Sequence, residues 1–327
     1  DALPIFVEAL TRIIARMKLS PRAVGLAAAV VTVTIWTSFI VIARASASHS
    51  LLPLDIAFLR TIGAGSVLLP WGWWLMRSQR QQGQAVGSLL GLSPLPLRIT
   101  ALAGVFGSLL YGMLAYSGFF FAPAAHASVL MPGSLPLWTS LLAFLILHDP
   151  ISKARATGLV CIVAGDLLVG GASLLKALEG GEVWKGDLLF MCAAFCWSVY
   201  SVLVRRFGLD AVRATIAITS FSCVTFLPVY GALVFFELVP SHLGSAPVTE
   251  MWFQAIYQGV GSVVISGITF NLMIRYYGPV RSTMITALVP GLSALGAVAA
   301  LGEPMHLNLI AGLALVTSGI LFGVRKS

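Results

Sequence analysis

The residues of this chain that could do chemistry lie inside long apolar runs rather than in polar loops. Met131, Ser134 and Trp138 recur along one such run, which also carries His126. At about 100° per residue, the four side chains fall on one broad face of a helix. Polar and aromatic groups on one face of an apolar helix point away from lipid. The pattern favours non-covalent contact with a small molecule, and we expect Trp138 to touch it.

Aromatic and hydroxyl side chains on other apolar runs extend this candidate binding surface: Tyr111, Tyr116, Trp197, Tyr200, Tyr257, Thr286 and Ser293. Tyr111 and Tyr116 differ by about 140° around a helix, so we do not expect both to line one site. Aromatic residues near the ends of runs are alternatively membrane-interface anchors. Thr286 and Ser293 share one helix face with Ser282, and these hydroxyls either line a cavity or hold helices together.

Three prolines interrupt the same runs, at Pro132, Pro136 and Pro290. Proline removes a backbone amide and weakens a helix. Loosened backbone within a membrane is tolerated where it lines a cavity, and its free carbonyl and amide groups can bind a substrate's ammonium or carboxylate. A plain proline kink is the alternative interpretation.

The sequence contains no recognisable catalytic set. HExxH, GxSxG and P-loop motifs are absent, and the residues before Asp166 lack the first glycine of the GxGD motif of intramembrane proteases. The four cysteines form no CxxC pair and lie at no zinc-ligand spacing from a histidine. We therefore expect no enzyme activity, no metal and no cofactor, with a membrane-embedded enzyme as the alternative of another class.

Composition indicates an all-α membrane protein. Of the 327 residues, 58% are hydrophobic and 10% are charged, against about 25% charged residues in a soluble domain. This excludes a soluble globular enzyme. The net charge of +8 is spread between apolar runs rather than over one face, so the expected partner is the lipid bilayer and not nucleic acid.

Each apolar run predicts a membrane-spanning helix, because a helix satisfies its own backbone groups in lipid. A crossing needs about 20 residues, so the uncharged stretch 99–148 must hold two spans, with a tight turn at Pro123. The ten predicted spans are residues 23–43, 54–76, 97–120, 124–147, 154–172, 185–205, 211–236, 251–275, 280–301 and 305–324. Residues 1–20 are an N-terminal segment without an assigned function. Within it, residues 1–16 are either foreign to the natural protein or a short amphipathic lead-in.

Basic residues orient these spans, because cytoplasmic loops are rich in Lys and Arg. With the amino terminus inside, all but four of the 20 Lys and Arg lie on the cytoplasmic side, the exceptions being Arg44, Arg60, Lys176 and Lys185. We therefore expect a multi-pass protein of the plasma membrane, in bacteria the inner membrane. Both termini are cytoplasmic, and loops 45–53, 173–184 and 237–250 face outward.

Similarity between the two halves predicts a duplication. Trp36 and Arg44 are spaced like Trp197 and Arg205, and an offset of 154 residues pairs Pro136 with Pro290, Pro150 with Pro304, Gly158 with Gly312 and Gly165 with Gly319. We expect two five-helix repeats, residues 21–173 and 184–327. Because five is odd, the second copy enters the membrane from the opposite side, as in transporters with inverted repeats. The paired glycines predict close packing of spans five and ten.

From about residue 20 onward, the chain resembles the EamA-type transporters of the drug/metabolite transporter superfamily. The residues that carry the resemblance are Trp36 with Arg44, the entry to span two at 54–60, and the two segments Asp149-Pro150 with Gly158 and Gly165, and Glu303-Pro304 with Gly312 and Gly319. Within the family, it is most similar to the YddG-type exporters of aromatic amino acids. The resemblance implies a carrier whose central cavity is lined chiefly by spans three, four, eight and nine, with parts of one and six.

Those four spans have no charged residue in their interiors, so a substrate with net charge would lack a counter-ion. We expect neutral or zwitterionic metabolites, amino acids including aromatic ones, moved by alternating access. For Arg60 and Asp166, we favour snorkelling or helix pairing over a functional role. Without a pathway carboxylate, we expect a facilitative exporter; the alternative is a proton-coupled multidrug or metabolite exporter. A monomer suffices, because one chain holds both repeats.

Overall fold

The computed structural model describes residues 20–45, 50–83, 87–175, 181–302 and 307–324. Within these ranges the chain is helical, and no strand occurs there beyond an isolated bridge between Ser88 and Ser93. We number the long helices in chain order: α1 Pro21–Ala45, α2 Pro53–Gln81, α3 Leu97–Gly118, α4 124–147, α5 Lys153–Leu175, α6 Val183–Arg206, α7 Ala211–Phe235, α8 Val248–Tyr277, α9 279–301 and α10 Leu307–Val324.

These helices coincide with the predicted spans to within a few residues. Eight of them, α1–α4 and α6–α9, are long and apolar enough within the described residues to cross a membrane. The predicted turn between spans three and four is confirmed, since α3 ends at Gly118 and α4 begins directly after Pro123. α7 begins after Asp210, whose carboxylate accepts hydrogen bonds from the amides of Val212 (3.1 Å) and Arg213 (3.2 Å) and so caps the helix.

Several helices depart from α-helical geometry in mid-length. π-helical turns interrupt α3, α4 and α8, at Val105–Leu109, Val129–Gly133 and Ala255–Ile265. In α9 the α-helix ends at Thr286 and resumes at Val289. Pro132 lies inside the π-helical turn of α4, and Pro290 follows the break in α9.

The breaks in α4 and α9 fall at equivalent positions of the two halves. The α-helix resumes at Leu135 in α4 and at Val289 in α9, which are 154 residues apart, and a proline follows each. The residues that follow the two helices, His148 and Gly302, are again 154 residues apart, and both have a left-handed backbone conformation, with φ of 57° and 70°. The backbone conformation of the two helices thus recurs at the 154-residue offset that the paired prolines predict.

α5 and α10 pack against each other through glycines. A methyl group added at Gly158 would lie 2.6 Å from the Gly319 carbonyl oxygen, and one added at Gly165 would lie 2.7 Å from the Gly312 carbonyl oxygen. These distances leave no room for a side chain, so the predicted close packing is confirmed. The order of contacts reverses along the two segments, which makes α5 and α10 antiparallel.

Polar contacts mark the two ends of the bundle. At one, which we call the Asp55 end, the buried Asp55 carboxylate accepts hydrogen bonds from the Tyr230 hydroxyl (3.0 Å), the Ser241 hydroxyl (2.6 Å) and the His242 amide (2.9 Å). At the other, the Arg22 end, the Tyr277 hydroxyl donates to the Arg22 carbonyl (3.0 Å). The half of the bundle at the Arg22 end is filled by a buried core that includes Tyr200, Val204, Ala214, Phe270, Met273 and Ile274.

Candidate functional site

Two chambers lie inside the bundle and share part of their walls. They contain about 630 Å³ and about 770 Å³ of empty space, open solvent included. The walls come from α1–α4 and α6–α9, and none of the described lining residues belongs to α5 or α10. Both chambers are lined by Arg60, Tyr111, Tyr116, Trp197 and Ser262.

The chambers lie in the half of the bundle nearer the Asp55 end. On α2, which begins at Pro53 and ends at Gln81, the lining residues run only from Ala57 to Ala64. On α8, the last lining residue is Gly267, ten positions before the helix ends. The cavity is therefore separated from the Arg22 end by the buried core.

Among the described residues that line the chambers, Arg60 is the only one with a charged side chain. Its Nη1 lies 3.5 Å from the Tyr116 hydroxyl oxygen, and its guanidinium carbon lies 5.7 Å from the centre of that ring. Among the described residues, no carboxylate lies within 4.0 Å of Arg60. Asp55, on the same helix, is occupied by its own hydrogen bonds. The chambers therefore present a cation without a counter-ion.

Aromatic rings form the wall beside Arg60. Trp36 and Trp197, which occupy equivalent positions in the two halves, meet edge to face with ring centres 6.1 Å apart and planes at 70°. Tyr111 contacts Trp197 with ring centres 4.8 Å apart. Rings arranged in this way bind the flat or apolar body of a ligand.

Neutral hydrogen-bonding side chains from α7 and α8 supply other parts of the walls. Thr219 and Ser222 line the first chamber, Gln258 and Ser266 line the second, and Ser262 lines both. The Gln258 Oε1 and Thr219 Oγ1 atoms are buried and have no hydrogen-bond partner within the described structure. Both atoms therefore have hydrogen-bonding capacity that a ligand could use.

Some residues predicted from the sequence do line the chambers: Tyr111, Tyr116, Met131, Pro132 and Trp197. The expectation that Tyr111 and Tyr116 would not line one site is wrong, since both border both chambers. The reason is that the chambers contact a broad arc of α3, from Gly107 onward.

The remaining predicted residues are outside the two chambers: Ser134, Pro136, Trp138, Tyr200, Tyr257, Thr286, Pro290 and Ser293. Trp138 packs edge to face on Phe195, with ring centres 5.5 Å apart. The Tyr200 hydroxyl accepts a hydrogen bond from the Asn271 side-chain amide at 2.8 Å. Substrate contact by Trp138 stays a prediction.

The hydroxyl groups of α9 are used inside their own helix. Thr286 donates to the Thr283 carbonyl (2.9 Å) and Ser293 donates to the Pro290 carbonyl (2.9 Å), and both side chains are fully buried. Neither side chain lines a chamber in this conformation, and a cavity-lining role for Thr286 and Ser293 stays a prediction. α9 reaches the second chamber only through Val289 among the described residues.

Sequence reasoning did not assign Arg60, Gln258 or Thr219 to the site, and it left spans two and seven out of the walls. A signal was present, because a guanidinium or an amide inside an apolar run needs a partner. For Arg60, the sequence pattern favours snorkelling or helix pairing. The periodicity of a single helix does not say which of its faces meets a cavity.

Two buried ionisable groups occur at α4: Asp166, which approaches it from α5, and His126, which lies in its first turn. Asp166 is 3% exposed, and neither carboxylate oxygen has a hydrogen-bond partner in the described part of the chain. A methyl group added at Gly133, in the π-helical turn of α4, would lie 2.6 Å from Asp166 Oδ2. His126 is buried, and its Nδ1 lies 2.7 Å from Asp187 Oδ1, which ties the start of α4 to α6. The described ranges hold no group of three His, Cys, Asp or Glu side chains suited to a metal ion.

Comparison with known proteins gives a consistent result. The profile of the EamA-like transporter family matches residues 23–171 and again residues 184–325. The chain is 26% identical to the uncharacterized transporter YyaM of Bacillus subtilis over 228 residues, 68% of this chain and 70% of that protein. It is 28% identical to the aromatic amino acid exporter YddG of Ancylobacter novellus over 243 residues, 66% of this chain and 79% of that one. A solved crystal structure shares the fold with a TM-score of 0.65 at 21% identity, over 92% of this chain and 95% of that chain.

Proposed function

The chain belongs to the EamA-like transporter family, and we propose that it carries small neutral or zwitterionic metabolites, amino acids including aromatic ones, across the plasma membrane by alternating access. The observation that carries this proposal is the cavity between helices of both repeats, which combines aromatic rings with unpaired polar groups. Small-ligand sites commonly have this composition. The similarity to an aromatic amino acid exporter of Ancylobacter novellus supports the same substrate class.

We further propose ten membrane spans in two inverted repeats, residues 21–173 and 184–327. The glycine contacts of α5 and α10 support this arrangement. With the offset of 154 residues, the contact of Gly158 with Gly319 becomes the contact of Gly312 with Gly165, and both contacts occur. Contacts that exchange in this way are typical of a twofold relation between two copies.

The proposed orientation has both termini in the cytoplasm, which makes the Arg22 end the inner end. Support comes from the Lys and Arg residues, sixteen of 20 on that side. The chambers then lie in the outer half of the membrane, with the core at Tyr200 and Phe270 closing the inner half. A cysteine introduced at Arg80 in a cysteine-free variant should resist an impermeant reagent in intact cells. Labelling at that position would show that the protein has the opposite orientation.

Alternating access requires helices that can bend, and the equivalent breaks in α4 and α9 are the proposed bending points. Their restart residues, Leu135 and Val289, both line the second chamber. Bending at these points would move the wall of the second chamber. One chain supplies both repeats, so a monomer suffices.

The primary test is transport by the purified protein in liposomes. Vesicles loaded with radiolabelled L-phenylalanine should lose it faster than protein-free vesicles, and unlabelled amino acids should compete. Binding of the same compounds should raise the melting temperature of the detergent-solubilised protein. An absence of both effects across neutral and zwitterionic metabolites would reject the proposal.

Facilitated export without ion coupling is the proposed mode, and one observation favours the proton-coupled alternative. Asp166 is a buried carboxylate beside the π-helical turn of α4, and intramembrane carboxylates commonly carry protons. The ionisable residue on α4 itself is His126, and its ring is hydrogen-bonded to the Asp187 carboxylate. With equal substrate on both sides, an imposed pH or sodium gradient should produce no accumulation. Accumulation that is abolished by Asp166→Asn would establish the coupled alternative.

A further inference from the structure

We infer that Arg60 and Gln258 bind the charged head group of the substrate, with Arg60 contacting a carboxylate and Gln258 an ammonium group. The inference rests on the proposed function and specifies it, because it makes the second chamber selective for α-amino acids over amines and over simple carboxylic acids. Both side chains line that chamber.

An unpaired guanidinium inside a membrane-spanning helix is costly, so it marks a binding site by default. Arg60 lies within α2, and no described residue offers it a carboxylate within 4.0 Å. A guanidinium presents its N–H groups in a planar fork that matches the two oxygens of a carboxylate. A substrate carboxylate would therefore supply the negative charge that no described residue places beside Arg60.

Tyr116 does not replace that counter-charge. The distance of 3.5 Å between Arg60 Nη1 and the Tyr116 hydroxyl is at the long limit for a hydrogen bond. The ring centre is 5.7 Å from the guanidinium carbon, near the limit of about 6 Å for a cation–π contact. Tyr116 orients Arg60 and leaves its charge unneutralised.

Gln258 lies on the helix that touches α2 beside Arg60. A methyl group added at Gly259 would lie 2.8 Å from the Arg60 carbonyl oxygen, so the two backbones are in direct contact at this level. Gln258 is 5% exposed, and its Oε1 has no hydrogen-bond partner in the described structure. A side-chain amide oxygen accepts hydrogen bonds only, which suits the N–H groups of an ammonium.

The rings in the same chamber complete the site. Trp36, Trp197 and Tyr111 line it together with Arg60 and Gln258. An amino acid bound by its head group would place its side chain against these rings. Because Arg60 is cationic and Gln258 neutral, loss of the carboxylate should weaken binding more than loss of the ammonium.

The test compares matched ligands that lack one charged group each. L-phenylalanine, phenethylamine and 3-phenylpropanoate form one trio, and L-leucine, 3-methylbutylamine and 4-methylpentanoate form an aliphatic trio. Dissociation constants are measured from ligand-induced shifts in melting temperature for the full-length protein, Arg60→Gln, Arg60→Lys and Gln258→Met. Gln254→Met is the matched control, because Gln254 lies one turn earlier on α8, is 2% exposed, has an unpartnered Oε1 and lines neither chamber.

In Arg60→Gln, binding of the amino acid and of the carboxylate should weaken about 30-fold or more, while binding of the amine changes little. Arg60→Lys should recover part of the loss, which separates loss of charge from misfolding. Gln258→Met should weaken the amino acid and the amine about tenfold and leave the carboxylate unchanged. Gln254→Met should behave like the native protein.

The inference is overturned if Arg60→Gln weakens the three ligands of a trio equally, or if the native protein binds the amines or the simple carboxylates as tightly as the amino acids. It is also overturned if no carboxylate-bearing ligand of either trio binds. Arg60-dependent binding confined to the aliphatic trio would support the head-group site while rejecting aromatic substrates. Binding without transport in liposomes would support the site and reject the proposed function.

Discussion

In the first repeat, residues 23–171, the cavity wall contains the cation Arg60 and the rings of Trp36, Tyr111 and Tyr116. In the second repeat, residues 184–325, it contains Trp197 and no charged side chain among the described residues, and its polar groups are neutral hydrogen-bonding groups such as Gln258. The repeat-related tryptophans differ as well. Trp36 Nε1 donates to Ser266 Oγ at 3.1 Å, whereas the buried Trp197 Nε1 has no partner among the described residues.

The last two helices of each repeat, by contrast, correspond closely. The α4 and α9 helices restart and end at equivalent residues, and the α5–α10 glycine contacts exchange between copies. Packing between two copies needs only complementary surfaces, which symmetry supplies. An amino acid has no twofold symmetry, so a site that recognises one must differ between its two walls.

The largest loss of stability is expected at the glycine contacts between α5 and α10, where the two repeats pack alike. Gly158→Ala and Gly312→Ala each place a methyl group 2.6–2.7 Å from a backbone carbonyl oxygen of the facing helix. Both should destabilise the folded protein by about 3 kcal/mol, seen as lower melting temperature and lower yield of monodisperse protein. Gly231→Ala is the control, because an added methyl group meets nothing within 4 Å there. Tolerance in one copy alone would show that the packing is not equivalent.

A smaller effect should separate the two tryptophans. Trp36→Phe removes ring volume and the hydrogen bond to Ser266, whereas Trp197→Phe removes ring volume and an unpartnered N–H group. Trp36→Phe should therefore cost about 1 kcal/mol more in the free energy of unfolding. Denaturation of the two variants under identical conditions measures this difference. Equal losses would mean that the Trp36 hydrogen bond adds nothing.

The smallest effect should come from a pair of serines in the second repeat. Ser293→Ala removes a hydroxyl already bonded within α9, outside both chambers. Because such bonds contribute little to helix stability, melting temperature and transport should stay close to native. Ser222→Ala removes a hydroxyl from the first chamber, and it should slow transport by a few-fold at an unchanged melting temperature. A transport defect in Ser293→Ala would indicate that Ser293 belongs to the binding site.

The sequence by itself determined the helices, the turn at Pro123, the breaks at Pro132 and Pro290, and the glycine packing of α5 with α10. Each depends on residues close in the chain or on spacing within one repeat. Lipid leaves a run of apolar residues no alternative to a helix, and glycine and proline act on the local backbone. The family could be recognised on the same grounds.

Only the tertiary structure decided which residues face the cavity. Helical periodicity placed Trp138, Thr286 and Ser293 on polar faces, yet Trp138 packs on Phe195, and the two hydroxyls bond inside α9. Arg60 and Gln258, nearly two hundred residues apart in the chain, line the same chamber because α2 contacts α8. In a membrane, helix faces that meet lipid and faces that meet protein are both apolar. Sequence pattern therefore could not distinguish them, and helix packing did.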